Sequence, residues 1–97
     1  MDFKEFEEWL LTLHPNARFK VDSPSNSCPV YHFLSRKGIA VDHVGYKKYD
    51  IGDKEESLPE IFTTFISEFD KDRFIRFWSP KKALNAIKAV NEQISNR

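Results

Sequence analysis

The strongest constraint on this chain is a stripe of large apolar residues between positions 58 and 69. Leu58, Ile61, Phe62, Phe65, Ile66 and Phe69 recur at i, i+3, i+4, i+7, i+8 and i+11, the period of one face of an α-helix. A short helix with so apolar a side is stable only when that side is covered. The rest of the chain must supply the cover, and it carries two further stripes of the same period. Phe3, Phe6, Leu10 and Leu13, with Trp9 beside them, predict a helix over 3–13. Leu84, Ile87, Val90 and Ile94, with Ala83, predict a buried stripe on a last helix, and Lys81, Lys82, Asn85, Lys88 and Glu92 fall on its wet side.

Start and stop signals accompany these stripes. Asp2 with Glu5 and Ser57 with Glu60 have the spacing of capping boxes. Ser79-Pro80 opens the last helix with a cap followed by proline at the first helical position. A further helix begins with Ser27 as its cap and Pro29 in its first turn, and Gly38 stands where a left-handed residue would stop it. His14-Pro15-Asn16 ends the first helix, because proline disfavours helix in the residue before it.

Between the helices the period changes to two. Ala17, Phe19 and Val21 alternate with Arg18, Lys20 and Asp22, a short strand with one apolar face. Residues 39–49 are rich in β-branched and aromatic side chains and predict one long strand or a bent hairpin. The alternation breaks near His43, which suggests a bulge around Val44-Gly45. Residues 50–56 read as a polar loop, and Arg73 to Trp78 as a third short strand. The expected architecture is α+β, a small three-stranded antiparallel sheet packed with about four helices. Were 73–78 a helical extension instead, the protein would be mostly helical.

The chain has 97 residues, enough for one hydrophobic core, so residues 1–97 are expected to form a single globular domain. With 40% apolar and 14% aromatic residues, burial offsets chain entropy and disorder is not expected. One cysteine permits no internal disulfide, and the N-terminus is acidic and amphipathic rather than basic and then apolar. A cytoplasmic location is the expectation. No apolar run approaches the roughly 18 residues that span a bilayer, so no membrane role is expected.

The formal net charge is zero, which argues against a protein that coats nucleic acid. Charge is nevertheless segregated along the chain. Residues 1–13 carry one basic and four acidic side chains, 14–50 six and three, 51–72 two and seven, and 73–97 six and one. Either these segments neutralise one another across the fold, or they build a dipolar surface that steers a partner.

Two constellations bear on chemistry. On the second helix Val30, Phe33 and Leu34 share one face, and Cys28, Tyr31, His32 and Ser35 the opposite one. A cysteine in a first helical turn feels the positive end of the dipole, which favours thiolate, and His32 lies one turn on. Cys28 and His32 are therefore candidates for a thiol site, or for a metal site completed by His14 or His43. Against this, cysteine is among the most buried residue types, no glycine-rich oxyanion turn accompanies the pair, and nothing identifiable orients His32. No enzymatic activity, metal or cofactor is expected. The carboxylates from Asp50 to Glu60 lack the order of a calcium loop, and glycines 38, 45 and 52 are too isolated for a phosphate loop.

The second constellation is the strand at 73–78. If Ile75 and Phe77 point into the core, Phe74, Arg76 and Trp78 share the other face. Two aromatics flanking an arginine suit a protein hot spot or a base-stacking platform. Lys81 and Lys82 follow, and Lys47 and Lys48 lie between Tyr46 and Tyr49 as a second basic and aromatic cluster. The competing explanation is structural: the last helix covers Phe74 and Trp78, and Arg76 stacks on them as a latch.

The run Cys28-Pro29-Val30-Tyr31-His32-Phe33-Leu34 with Gly38, then Val44-Gly45, then Leu58-Pro59 leading through Phe65-Ile66 to Asp70, resembles a pattern found in small proteins of bacteria and their phages. The resemblance implies no established activity and assigns no residue a role. It does imply a phage or mobile-element setting, where small domains, anti-CRISPR proteins among them, bind and block a host protein. The neutral charge departs from the strongly acidic, DNA-mimicking kind of inhibitor.

The expected function is a non-enzymatic macromolecular binding module, a phage or mobile-element inhibitor of a host protein. Its candidate contact residues are Phe74, Arg76, Trp78, Lys47, Lys48, Lys81 and Lys82. Weak nucleic-acid binding through the same patch is the first alternative, and a Cys28–His32 thiol or metal site the second.

Overall fold

A computed structural model of the protein describes residues 2–21, 28–71 and 77–95. The elements run α1 (Phe3–Leu11), β1 (Phe19–Lys20), α2 (Pro29–Arg36), β2 (His43–Val44), β3 (Lys48–Ile51), β4 (Lys54–Ser57), α3 (Glu60–Phe69), β5 (Phe77–Trp78) and α4 (Pro80–Ser95). The architecture is α+β, as the pattern of periods predicts. Its strands are divided between a three-stranded antiparallel sheet in the order β2-β3-β4 and a two-stranded antiparallel ribbon, β1-β5.

The helices begin and end where local chemistry satisfies their terminal groups. Asp2 caps α1 by accepting the Lys4 N–H at 2.9 Å. The return arm of a capping box is not made, since Glu5 pairs instead with Lys37 at 3.0 Å. Cys28 is the N-cap of α2, its Sγ accepting the Tyr31 N–H at 3.4 Å, with Pro29 following; Ser27, the expected cap, lies outside the described residues. Gly38 stops α2 at φ 84°. The Gly38 N–H donates to the Ser35 carbonyl and the Ile39 N–H to Leu34, the paired bonds of a Schellman ending. Ser79 caps α4 by accepting the Lys82 N–H.

Three local expectations are corrected. Residues 50–56 are not a loop, because Asp50 and Ile51 complete β3 and Lys54 begins β4, with only Gly52-Asp53 between them. Ile51 pairs with Lys54 across that two-residue turn. Gly52 has φ 60° while Asp53 does not have positive φ, the conformation of a type II′ hairpin turn. Ser57 accordingly ends β4 and does not cap α3, whose N-cap is Pro59 with no side-chain bond. The break near His43 is a hairpin corner: the Gly45 N–H donates to the Lys48 carbonyl at 2.8 Å and the chain turns through Tyr46 and Lys47.

The buried apolar residues form one cluster. Phe6 and Leu10 enter it from α1, Val30, Phe33 and Leu34 from α2, Phe62, Phe65, Ile66 and Phe69 from α3, and Ala83, Ala86, Ile87 and Val90 from α4. Phe6 is its centre, with the rings of Phe65 at 5.0 Å, Phe33 at 5.2 Å and Phe62 at 5.5 Å, the tilted and edge contacts that aromatic quadrupoles favour. The α4 stripe ends early, since Ile94 is 46% exposed rather than buried. No helix among the described residues is long and apolar enough to cross a membrane.

Candidate functional site

The ribbon pairs two segments far apart in sequence. Phe19 lies opposite Trp78 and Lys20 opposite Phe77. Side chains alternate across a strand, so the ribbon has an inner face of Phe19 and Trp78 and an outer face of Lys20 and Phe77. The inner pair stacks at 4.4 Å with 18° between the rings. His32 of α2 approaches both, at 5.3 Å from Phe19 and 5.7 Å from Trp78, and Phe69 meets Trp78 edge-on at 6.3 Å. Trp78 is consequently 1% exposed.

This reverses the facing expected at 73–78. Alternation from Ile75 puts Trp78 outward and Phe77 inward, but Trp78 is a core residue and Phe77 is 47% exposed. The physical reason is the partner strand: Phe19, Phe69 and His32 make an aromatic recess that takes the indole, and the residue beside Trp78 must then face out. Phe74 and Arg76 lie outside the described residues.

The outer face is basic and aromatic. The Arg18 guanidinium sits over the Phe77 ring, 5.3 Å from its centroid, and Arg18 and Lys20 both reach solvent. Lys81, exposed in the first turn of α4, is tied to the chain just before β1, its N–H donating to the Pro15 carbonyl at 3.3 Å. The sequence places Arg18 and Lys20 on the wet side of their strand. It does not join them to Phe77, because nothing local reports which distant strand pairs with 17–21.

The four lysines singled out from the sequence have different fates. Lys47 is exposed at the β2–β3 corner, and its carbonyl accepts the Leu58 N–H. Lys48 pairs with Glu55 at 2.7 Å on the same hairpin, and that hydrogen bond raises its pKa above the ordinary lysine range. The Lys82 ammonium lies 5.3 Å from the centre of the Phe69 ring and beside the Asp70 carboxylate. Tyr46 is 55% exposed, and its side chain hydrogen-bonds the same carboxylate. Half-burial raises the Asp70 pKa, with the Tyr46 bond and the Lys82 charge opposing that rise. Asp70 thus draws the hairpin corner and the start of α4 together.

The Cys28 face resolves differently from its helical-wheel reading. Cys28 is buried, and desolvation pushes its thiol up to about 11, despite lowering contributions from the N–H groups around it. Burial outweighs the helix dipole, so thiolate is disfavoured rather than favoured. His32 is half-buried and its pKa is lowered by the same cause, and its ring neighbours are aromatic. Tyr31 is half-buried and Ser35 exposed. Among the described residues no group of three or more histidine, cysteine, aspartate or glutamate side chains is placed to hold a metal ion.

Neither a protein-family model, nor a curated protein, nor a solved structure matches this chain.

Proposed function

We propose that the protein is a non-enzymatic binding module that engages a macromolecular partner through the outer face of the β1–β5 ribbon, with Phe77 and Arg18 as its centre and Lys20 and Lys81 beside them. The observation that carries this is Phe77 itself, a phenylalanine nearly half exposed on the back of a strand whose neighbour is sealed in the core. A large exposed apolar residue costs hydration free energy, and one stacked under an arginine has the composition of an interface anchor. Of the contact residues expected from the sequence, Trp78 contributes by rigidity from beneath and Lys81 stands at the edge, while Lys48 and Lys82 are engaged within the fold.

The resemblance to small phage and bacterial proteins gives this reading its biological form: a domain that acts by occupying a host protein. The experiment is to recover partners with the wild-type protein and with a Phe77→Ala/Arg18→Ala variant shown by circular dichroism to be folded. The partner should be lost, or its affinity reduced at least about tenfold, in the variant. Equal retention by both proteins would remove this face from the site.

A further inference from the structure

We infer that the partner presents to the ribbon an acidic protein segment in which carboxylates flank an apolar or aromatic side chain; this rests on the binding-module reading above. Arg18 and Phe77 supply complementary halves of such a site. A guanidinium held over a ring keeps its in-plane N–H fork for a carboxylate, which it grips by two parallel hydrogen bonds. Stacking also restrains the arginine before binding, so less side-chain freedom is lost when the pair forms. The exposed part of the Phe77 ring offers an apolar side chain a flat surface. Lys81, anchored to Pro15 through its backbone, adds a positive charge from the start of α4.

A nucleic-acid strand is a poorer fit. Its affinity comes from a succession of phosphate contacts, and among the described residues two of the lysines that the sequence offers to the patch are engaged elsewhere. Lys48 is paired with Glu55, and Lys82 lies on Phe69 beside Asp70. The start of α4 offers no substitute, because the N–H of Lys81 is taken by Pro15 and that of Lys82 by the Ser79 hydroxyl. A short acidic segment needs only two or three charge contacts and then ends, and the neutral whole-chain charge is no obstacle to it.

The test uses three probes on the isotope-labelled full chain at about 0.15 M salt: a short glutamate-rich peptide with one central tryptophan, the same peptide with lysine for glutamate, and oligothymidylate. The glutamate peptide should saturate, with amide shifts centred on Arg18, Lys20 and Phe77. Phe77→Ala and, separately, Arg18→Glu should each weaken it about tenfold or more, and the lysine peptide should not bind. Oligothymidylate binding more tightly at the same amides, with affinity falling steeply as salt rises, would overturn the acidic-protein assignment and leave the face standing as a binding surface. Failure of all three probes would overturn the assignment alone. Saturable binding of the glutamate peptide with shifts elsewhere, unaffected by either substitution, would overturn both the assignment and the face.

Discussion

The two small antiparallel sheets of this protein are built on opposite principles. The β2-β3-β4 meander is local: each strand pairs with the next through a tight turn, and its outer strand, Lys54–Ser57, is exposed along its whole length. Charged side chains on such an edge discourage further strands from joining it. The β1-β5 ribbon is non-local, joining residues nearly sixty positions apart through two register pairs among the described residues. Its stability comes from Phe19 and Trp78 entering the aromatic core, and the same geometry forces Phe77 outward. Turn chemistry therefore specifies one sheet and side-chain burial the other, and in the second the burial of Trp78 is what turns its strand neighbour Phe77 towards solvent.

The sharpest test of this contrast is Trp78 against its neighbour. Trp78→Ala removes the largest buried side chain of the ribbon and should cost about 3–5 kcal/mol, while Phe77→Ala, on the wet face, should cost at most about 1 kcal/mol. Chemical denaturation of both variants measures the difference. Comparable losses would mean that the ribbon's two faces are not distinct and that Phe77 is a core residue.

Next in size is an alkaline limit set by Cys28 at the start of α2, the helix whose His32 backs the ribbon. In the unfolded chain the thiol ionises near its ordinary 9.0, whereas in the fold burial holds it protonated up to about 11. Between those values the unfolded state binds fewer protons, so stability falls as pH rises from 9 towards 11, by on the order of 2–3 kcal/mol over the whole window. Cys28→Ala should flatten this slope in the same denaturation series and, in the wild type, alkylation of Cys28 at neutral pH should be slow. An unchanged alkaline slope in the variant would assign the loss to other groups.

The smallest expected effect lies in the meander. Gly52 occupies a positive-φ position that β-branched residues resist. A Cβ added there would meet nothing within 4 Å, so the cost of a side chain is conformational and not crowding by neighbours. Gly52→Val should cost about 1–2 kcal/mol and weaken amide protection in β3 and β4, leaving Phe19 and Trp78 undisturbed. Loss of protection in the ribbon as well would show that the two sheets fold as one cooperative unit.

How far the sequence reveals this fold follows from the same division. The helices are legible because their stripes, caps and the Gly38 stop are all local signals. The hairpin at Gly52-Asp53 also has its signal, a glycine followed by aspartate between two short runs, but charged flanks such as Lys54-Glu55-Glu56 disguise an exposed strand as a loop. The candidate site is legible in part: Arg18 and Lys20 face water by alternation, and Lys81 by helical period. Phe77 falls on the wrong side because Phe74, Ile75, Phe77 and Trp78 put large apolar residues on both faces of one short segment, and a period of two cannot choose between them.

By itself, then, the amino-acid order determined the α+β class, the three apolar helix faces and the outward cations of the first strand, since each depends on residues a few positions apart. Tertiary structure alone decided that Trp78 is inside and Phe77 outside, and that Cys28 keeps its proton. Both outcomes depend on what packs against the group from distant parts of the chain: Phe19, Phe69 and His32 around the indole, and the desolvating core around the thiol.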